Sequence, residues 1–149
     1  MSTKSILLVE DNPDDADLIM RALRTGRISG EVVVAHDGVE ALDYLFGTGA
    51  YVGRDLHTMP ACLLLNLRLP KLDGLEVLRR LRADARTRLI PTVILTASGE
   101  PQDVRAAYRL GANSYICKPV SFSLFADAVR QVGRYWLTLN EAPQSEGSL

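Results

Sequence analysis

The stretch Ser5-Ile-Leu-Leu-Val-Glu-Asp-Asn-Pro13 joins an apolar, strand-like run to the beginning of a helix. Its consecutive large aliphatic side chains, from Ile6 to Val9, are typical of a strand that is covered on both faces, as in a parallel sheet. Asn12 can cap a following helix, and Pro13 suits the first helical position. The stretch therefore predicts a strand that passes directly into a helix, with two acidic residues in the turn.

The same unit recurs along the chain. Strand-like runs cover residues 5–9, 31–35, 61–65, 92–95 and 114–117. Helix-like apolar patterns follow each run, namely Ala16/Ile19/Ala22/Leu23, Ala41/Leu42/Leu45 after the capping pair Asp37 and Glu40, Val77/Leu78/Leu81, Val104/Ala107/Leu110, and Phe125/Ala128/Val129/Val132/Trp136. A regular alternation of strand and helix predicts a doubly wound α/β fold with a parallel sheet. Ligands of such open sheets bind at the carboxyl ends of the strands.

Length and composition limit the possible classes of protein. The chain has 149 residues, enough for one domain, and a formal net charge of -1, which does not suggest a general nucleic-acid or membrane-surface binder. Its apolar runs are too short to span a bilayer, and its first residues do not resemble a secretory signal, so we expect a cytoplasmic protein without membrane contact. Cys62 and Cys117 lie in apolar runs and are expected to be buried thiols rather than a disulfide.

The predicted strand ends carry a set of polar residues with compatible chemistry: Glu10 and Asp11, Asn66, Thr96, and Lys118. Carboxylates are preferred ligands of Mg²⁺, a lysine offers a point charge to a phosphoryl oxygen, and a threonine hydroxyl can donate to another. Phosphoryl transfer depends mostly on such positioning and electrostatics. Only a nucleophile is missing, and position 66 is where it is expected.

Each of these residues also has a simpler interpretation. Glu10-Asp11 alone is typical of a helix entry, where the helix dipole favours acidic residues. Thr96 alone is more often a strand-end or capping residue, Lys118 a solvated surface lysine, and Asn66 a turn residue. The placement of one suitable group at each appropriate strand end favours a phosphoryl-transfer site over coincidence.

With these motifs the chain resembles the receiver domains of bacterial response regulators, the CheY-like superfamily. The resemblance covers about residues 4–137. It rests on Ile6-Leu-Leu-Val-Glu-Asp-Asn-Pro13, Leu63-Leu-Leu-Asn-Leu-Arg-Leu-Pro-Lys-Leu-Asp-Gly74, Thr92-Val-Ile-Leu-Thr-Ala-Ser98 and Gly111-Ala-Asn-Ser-Tyr-Ile-Cys-Lys-Pro119. It implies a flavodoxin-like, five-stranded parallel sheet of strand order 2-1-3-4-5 with five flanking helices.

The resemblance also implies a metal site. Mg²⁺ would be bound by Asp11, by the side chain at position 66 and by the backbone carbonyl of Arg68, with Glu10 assisting through water. The family carries aspartate at position 66 as phosphoacceptor. Asn66 lacks the anionic carboxylate that attacks phosphorus and removes one negative charge from the site. We therefore expect no acyl phosphate at residue 66 and weaker Mg²⁺ binding.

The remaining site residues have roles implied by the same resemblance. Thr96 and Lys118 would contact the phosphoryl group, and Tyr115 matches the aromatic switch position. The bond from Lys118 to Pro119 would be cis. Three origins of Asn66 stay open: an engineered substitution, a natural receiver that works without phosphate, and a discrepancy in the sequence. The intact neighbours favour a substitution in an otherwise competent receiver.

Within the family, the chain is similar to small regulators that pair with phytochrome-type histidine kinases. The similarity lies in Asp11-Asn-Pro-Asp-Asp15, in the long loop 48–60 and in the tail around Tyr135-Trp-Leu-Thr-Leu139. We expect a receiver domain over 1–137 and a tail over 138–149 that ends in a disordered segment, 144–149. In that group the tail often helps to form a homodimer; alternatively, Tyr135 and Trp136 finish the packing of the last helix.

Several functions compete at this stage. The first is a phosphorelay receiver that is disabled at residue 66, and the second is a phosphate-independent interaction module. A nucleotide- or flavin-binding protein is disfavoured because no glycine-rich loop follows the first strand. An aspartate-nucleophile phosphatase is disfavoured by Asn66-Leu-Arg68, which lacks both required acids. We expect a signalling protein rather than an enzyme, with catalysis limited to its own phosphorylation and dephosphorylation, and no output domain for direct DNA binding.

Overall fold

The computed structural model describes residues 4–26, 30–141 and 143. Strands and helices alternate along these residues. They are β1 (Ser5–Val9), α1 (Pro13–Thr25), β2 (Glu31–Ala35), α2 (Gly38–Phe46), β3 (Cys62–Leu65), α3 (Gly74–Ala83), β4 (Thr92–Thr96), α4 (Pro101–Arg109), β5 (Ser114–Cys117) and α5 (Phe122–Arg134), with a short 3₁₀ turn at Gly49–Tyr51 and a π-helical turn at Tyr135–Leu139.

The five strands form one parallel sheet in the order β2-β1-β3-β4-β5. The predicted fold class and strand order are therefore confirmed. In the register of this sheet, Val9 at the end of β1 lies beside Ala35 of β2 and Leu65 of β3. The chain leaves each of these strands at the same edge, so that edge collects the residues that follow them.

Side-chain alternation along the strands builds two separate cores. In β1, Leu7 and Val9 join the core under α2, α3 and α4, whereas Ile6 and Leu8 join the core under α1 and α5. All four side chains are at most 2% exposed. Burial on both faces explains why the strand sequences are continuous apolar runs.

The predicted caps determine where the first two helices begin. The Asn12 side chain accepts hydrogen bonds from the backbone N–H groups of Asp14 and Asp15 at 2.9 and 3.1 Å. The Asp37 side chain accepts from the backbone N–H of Glu40 at 2.7 Å. Glu40 returns its carboxylate to the N–H of His36 rather than to that of Asp37, so this pair is a modified capping box.

The last helix passes directly into the π-helical turn. Leu137 in this turn is buried in the core shared by α1 and α5, and its carbonyl accepts a hydrogen bond from Lys4 Nζ at 3.1 Å. Trp136 packs against the same core, whereas Tyr135 and Leu139 stay 48% and 67% exposed. The segment 144–149, predicted to be disordered, lies outside the described residues.

The two cysteines and the lengths of the helices can be compared with the sequence predictions. Cys62 is buried, whereas Cys117, the last residue of the edge strand β5, is exposed. The expectation that Cys117 is buried was therefore wrong, although both thiols are free. None of the helices over the described ranges is long and apolar enough to cross a bilayer.

Candidate functional site

Strand periodicity places three of the predicted site residues on one side of the sheet edge. Each of the three lies two residues after a strand residue whose side chain belongs to the core under α1 and α5. Side chains two residues apart along a strand point to the same face of the sheet. The pairs are Leu8 and Glu10, Leu64 and Asn66, and Ile116 and Lys118. In the structure, Glu10 contacts both Asn66 and Lys118 near the N-terminus of α1.

Glu10 is the centre of this contact set. Its side chain is only 2% exposed, and its Oε1 accepts a hydrogen bond from Lys118 Nζ at 2.7 Å. Its Oε2 accepts from Asn66 Nδ2 at 3.0 Å and from the backbone N–H of Asn12 at 3.2 Å. A buried carboxylate is tolerable only with such partners, and here both of its oxygens are engaged.

Lys118 is held by two carboxylates rather than one. Its Nζ also lies 3.0 Å from Asp15 Oδ2 on α1, and its backbone N–H donates to the Thr96 carbonyl at 2.8 Å. Burial lowers the pKa of Lys118, but its contacts with Glu10 and then Asp15 outweigh that effect and raise the pKa above 10.5 overall. The lysine therefore supplies a fixed positive charge at neutral pH.

Asn66 is positioned by the backbone on either side. Its N–H donates to the Val9 carbonyl at 3.1 Å, and its Oδ1 accepts from the N–H of Arg68 at 3.4 Å. These contacts orient the amide nitrogen towards Glu10. A Cβ at Gly74 would lie 2.2 Å from the Asn66 carbonyl oxygen, so the close return of the chain behind residue 66 requires glycine.

The oxygen donors around Asn66 are chemically suited to Mg²⁺, but they carry less negative charge than a set with aspartate at position 66. Asp11 is exposed at this edge, and its carboxylate, the Asn66 side-chain oxygen and the Arg68 backbone carbonyl are hard oxygen donors. Over the described residues, no group of three or more His, Cys, Asp and Glu side chains could hold a metal ion. An aspartate at position 66 would add the third carboxylate beside Glu10 and Asp11.

A second polar network lies on the opposite side of the same edge. The Tyr115 hydroxyl donates to the Ser98 carbonyl at 2.7 Å, and Ser98 Oγ donates to Asp103 Oδ2 at 2.5 Å. Asp103, at the beginning of α4, also accepts from Arg68 at 2.8 Å. The network thus links the segment after β3, the segment after β4 and the predicted switch residue. Thr96 is 1% exposed and is the last residue of β4, just before the segment that contains Ser98.

The prediction of a cis bond between Lys118 and Pro119 was wrong for this structure, because no described peptide bond is cis. A bond before proline favours the trans form by about 0.5–1 kcal/mol, so a cis bond needs a local constraint that demands it. The contacts of Lys118 with Thr96, Glu10 and Asp15 are all made with the trans bond.

Sequence reasoning missed three residues of the two networks. Asp15 lies in the first turn of α1, three residues after the cap residue Asn12, a position that could have suggested that it lies beside the site. Ser98 and Asp103 reach Arg68 and Tyr115 only through the path of the segment after β4. No local sequence pattern specifies such a path.

Comparison with known proteins agrees with this architecture. The family model of the response regulator receiver domain matches residues 6–130. The probable methanogenesis regulatory protein FilR2 of Methanothrix harundinacea is 45% identical over 139 residues, which cover 93% of this chain and 86% of the relative. The response regulator Rcp1 of Synechocystis is 36% identical over 134 residues, which cover 90% of this chain and 89% of the relative.

Solved structures of phytochrome-associated regulators superpose over nearly the whole chain. The phosphorylated cyanobacterial phytochrome response regulator RcpA has a TM-score of 0.88 at 37% identity, covering 95% of this chain and 99% of that one. The bacteriophytochrome response regulator AtBRR has a TM-score of 0.75 at 48% identity, covering 95% and 100%. The Mn²⁺-bound form of Rcp1 has a TM-score of 0.87 at 35% identity, covering 94% and 99%.

The matched segment contains residues 6–9 of β1, the other four strands, both polar networks and residues 122–130 of α5. The fold and the strand order agree with the family match. The chain belongs to the response regulator receiver domain family of two-component signalling proteins.

Proposed function

We propose that this chain is a single-domain phosphorelay receiver in which Asn66 stands at the phosphoacceptor position and prevents phosphorylation. The observation that carries the proposal is the intact setting of residue 66. Glu10, Lys118 and the N-terminus of α1 surround it, and the amide nitrogen hydrogen-bonds to Glu10. The lysine charge beside Glu10 is suited to an anionic phosphoryl group, and Asn66 stands where the family carries its nucleophile.

In a chain with aspartate at position 66, one carboxylate oxygen would attack the phosphorus of a phosphohistidine. The new O–P bond forms as the N–P bond breaks, and the imidazole leaves with the electron pair and takes a proton from water. Lys118 stabilises charge on the transferring oxygens. Bound Mg²⁺, held by Asp11, the residue-66 side chain and the Arg68 carbonyl, with Glu10 acting through water, would neutralise further charge.

The proposed partner is a histidine kinase of the phytochrome type in the cytoplasm. The phytochrome-associated relatives support this pairing. Three apolar side chains just after Lys118 are also exposed: Val120, Phe122 at 77% and Leu124 at 59%. Exposed apolar groups clustered beside a reactive site are typical of a protein contact surface.

Phosphotransfer from a kinase tests this proposal. A bacteriophytochrome histidine kinase is first labelled on its histidine and then mixed with this chain or with the Asn66→Asp variant. We expect label to move only to the Asn66→Asp variant. If neither chain gains label, but both bind the kinase equally, the alternative of a phosphate-independent interaction module replaces the proposal.

Output would pass through the second polar network. A phosphoryl group at position 66 would draw Thr96 towards it, and Tyr115 would exchange its contact with the Ser98 carbonyl for an inward position. This shift would change the surface of α4, β5 and α5 and its affinity for a partner. The signal would then pass to the partner through this protein contact.

A homodimer through the end of α5 is the second part of the proposal. Tyr135 and Leu139 are exposed on the turn that Leu137 anchors in the core, which leaves an apolar strip next to a rigid helix. Removal of residues 137–149 would also remove the buried Leu137, so substitution is the cleaner test. We expect Tyr135→Ser combined with Leu139→Ser to halve the solution mass of the protein in light scattering. An unchanged mass contradicts a dimer through this strip.

A further inference from the structure

Lys118 forms an ion pair with Asp15 that the phosphorelay chemistry does not explain. An ammonium group has three N–H bonds. Glu10 accepts one at 2.7 Å and Asp15 accepts another at 3.0 Å, so a single N–H remains for a phosphoryl oxygen. The Phe125 ring centroid lies 5.9 Å from Nζ and limits movement on a further side.

The position of Asp15 is set by the helix cap. Asn12 accepts the backbone N–H of Asp15 at 3.1 Å, which fixes the first turn of α1 against the edge of the sheet. The Asp15 side chain is 32% exposed, compared with 2% for Glu10, so it closes the outer side of the lysine. Asp14, one residue earlier, is exposed and forms no ion pair within the described part of the chain.

We infer that Asp15 is a positioning residue of the phosphoryl-transfer site, which acts by holding the Lys118 ammonium group between α1 and Glu10. Lysine has a long side chain with large rotational freedom, and fixing it before the reaction removes part of the entropic cost of reaching the transition state. With two N–H bonds committed, the third is directed before a phosphodonor arrives. This role rests on the proposed function of the site.

The first test needs no phosphorylation. In the chain as it is, urea unfolding is measured for Asp15→Ala, Lys118→Met and the double variant, with Asp14→Ala as the matched control. We expect Asp15→Ala to lower the free energy of unfolding by less when Lys118 is already replaced. The effects of Asp14→Ala and Lys118→Met on this free energy should simply add. If Lys118→Met does not fold, Lys118→Gln takes its place. Additive effects of Asp15 and Lys118 overturn the inference.

The second test uses the Asn66→Asp chain with a small phosphodonor at saturating Mg²⁺. We expect Asp15→Ala to slow phosphorylation by about tenfold, within the range that a misplaced group costs. Asp14→Ala should leave the phosphorylation rate unchanged, and Asp15→Glu should keep most of the parent rate. In a chain that already carries Lys118→Met, Asp15→Ala should not slow phosphorylation further. An unchanged or faster rate for Asp15→Ala contradicts the inference. No phosphorylation of the parent Asn66→Asp chain would instead overturn the proposed function.

Discussion

Asn66 donates a hydrogen bond from its side-chain nitrogen to Glu10 Oε2 at 3.0 Å. An aspartate at position 66 has no such donor and would place a second carboxylate beside a buried one. Like charges at this separation repel strongly where water is largely excluded. Asparagine thus adds no negative charge to a site in which Lys118 already pairs with Glu10 and Asp15, whereas aspartate would add a charge that a metal ion would have to offset.

The first prediction concerns the Asn66→Asp variant, in which repulsion between two carboxylates replaces the hydrogen bond from residue 66 to Glu10. Without Mg²⁺, Asn66→Asp should lower the free energy of unfolding by about 1–3 kcal/mol, the usual cost of an unmatched buried polar group. Mg²⁺ should raise the melting temperature of the Asn66→Asp variant and leave that of the present chain nearly unchanged. Thermal unfolding with and without Mg²⁺ measures both. A more stable Asn66→Asp variant in the absence of metal contradicts the account of Asn66.

The second prediction follows from the charge of Lys118. The pKa of Lys118 is raised above its ordinary 10.5, so its ion pairs stabilise the fold fully below pH 10.5 and lose that contribution as the pH rises through the folded-state value. At neutral pH, Lys118→Met should lower the free energy of unfolding by about 3 kcal/mol, since Glu10 loses its partner.

Denaturant unfolding from pH 7 to pH 11 separates these effects. The difference in the free energy of unfolding between the present chain and Lys118→Met should stay constant up to about pH 10.5 and become smaller only above that pH. A difference that already narrows between pH 7 and pH 9 would show that Lys118 is not held as an ammonium ion by Glu10 and Asp15.

The third prediction compares the two partners of one ion pair. The Arg68 side chain is 66% exposed and the Asp103 side chain 12% exposed, and Asp103 also accepts from Ser98. Arg68→Ala should therefore cost under about 1 kcal/mol, as exposed ion pairs do. Asp103→Ala should cost about 1–3 kcal/mol, because it removes a charged, largely buried acceptor. Equal costs in urea unfolding would show that Asp103 does not anchor the segment after β4.

The fourth prediction concerns the exposed apolar residues after Lys118. Phe122→Ala should slow phosphotransfer from a histidine kinase to the Asn66→Asp variant by about tenfold or more, as expected for an aromatic residue at an interface. The rate with a small phosphodonor should not change. Val52→Ala is the matched control, since Val52 is 75% exposed in the loop before β3. Equal slowing by Phe122→Ala with both donors would place its effect inside the site rather than at the interface.

The strands and the residues that follow them could be predicted because they depend on local patterns of apolar and capping residues, whereas the strand order was implied by the resemblance to receiver domains. Cys117 was misjudged because an apolar run does not reveal that the strand carrying it lies at the edge of the sheet. The pairing of Lys118 with Asp15 was missed because it depends on how closely α1 approaches β5. Such contacts between distant segments follow from packing, which no local pattern encodes.

We propose that a single missing nucleophile separates this chain from a competent receiver. The most direct measurement is the intact mass of this chain and of its Asn66→Asp variant after incubation with a small phosphodonor and Mg²⁺. We expect one added phosphoryl group on the Asn66→Asp variant and none on the present chain. A phosphoryl group on the present chain, or none on either protein, would contradict it.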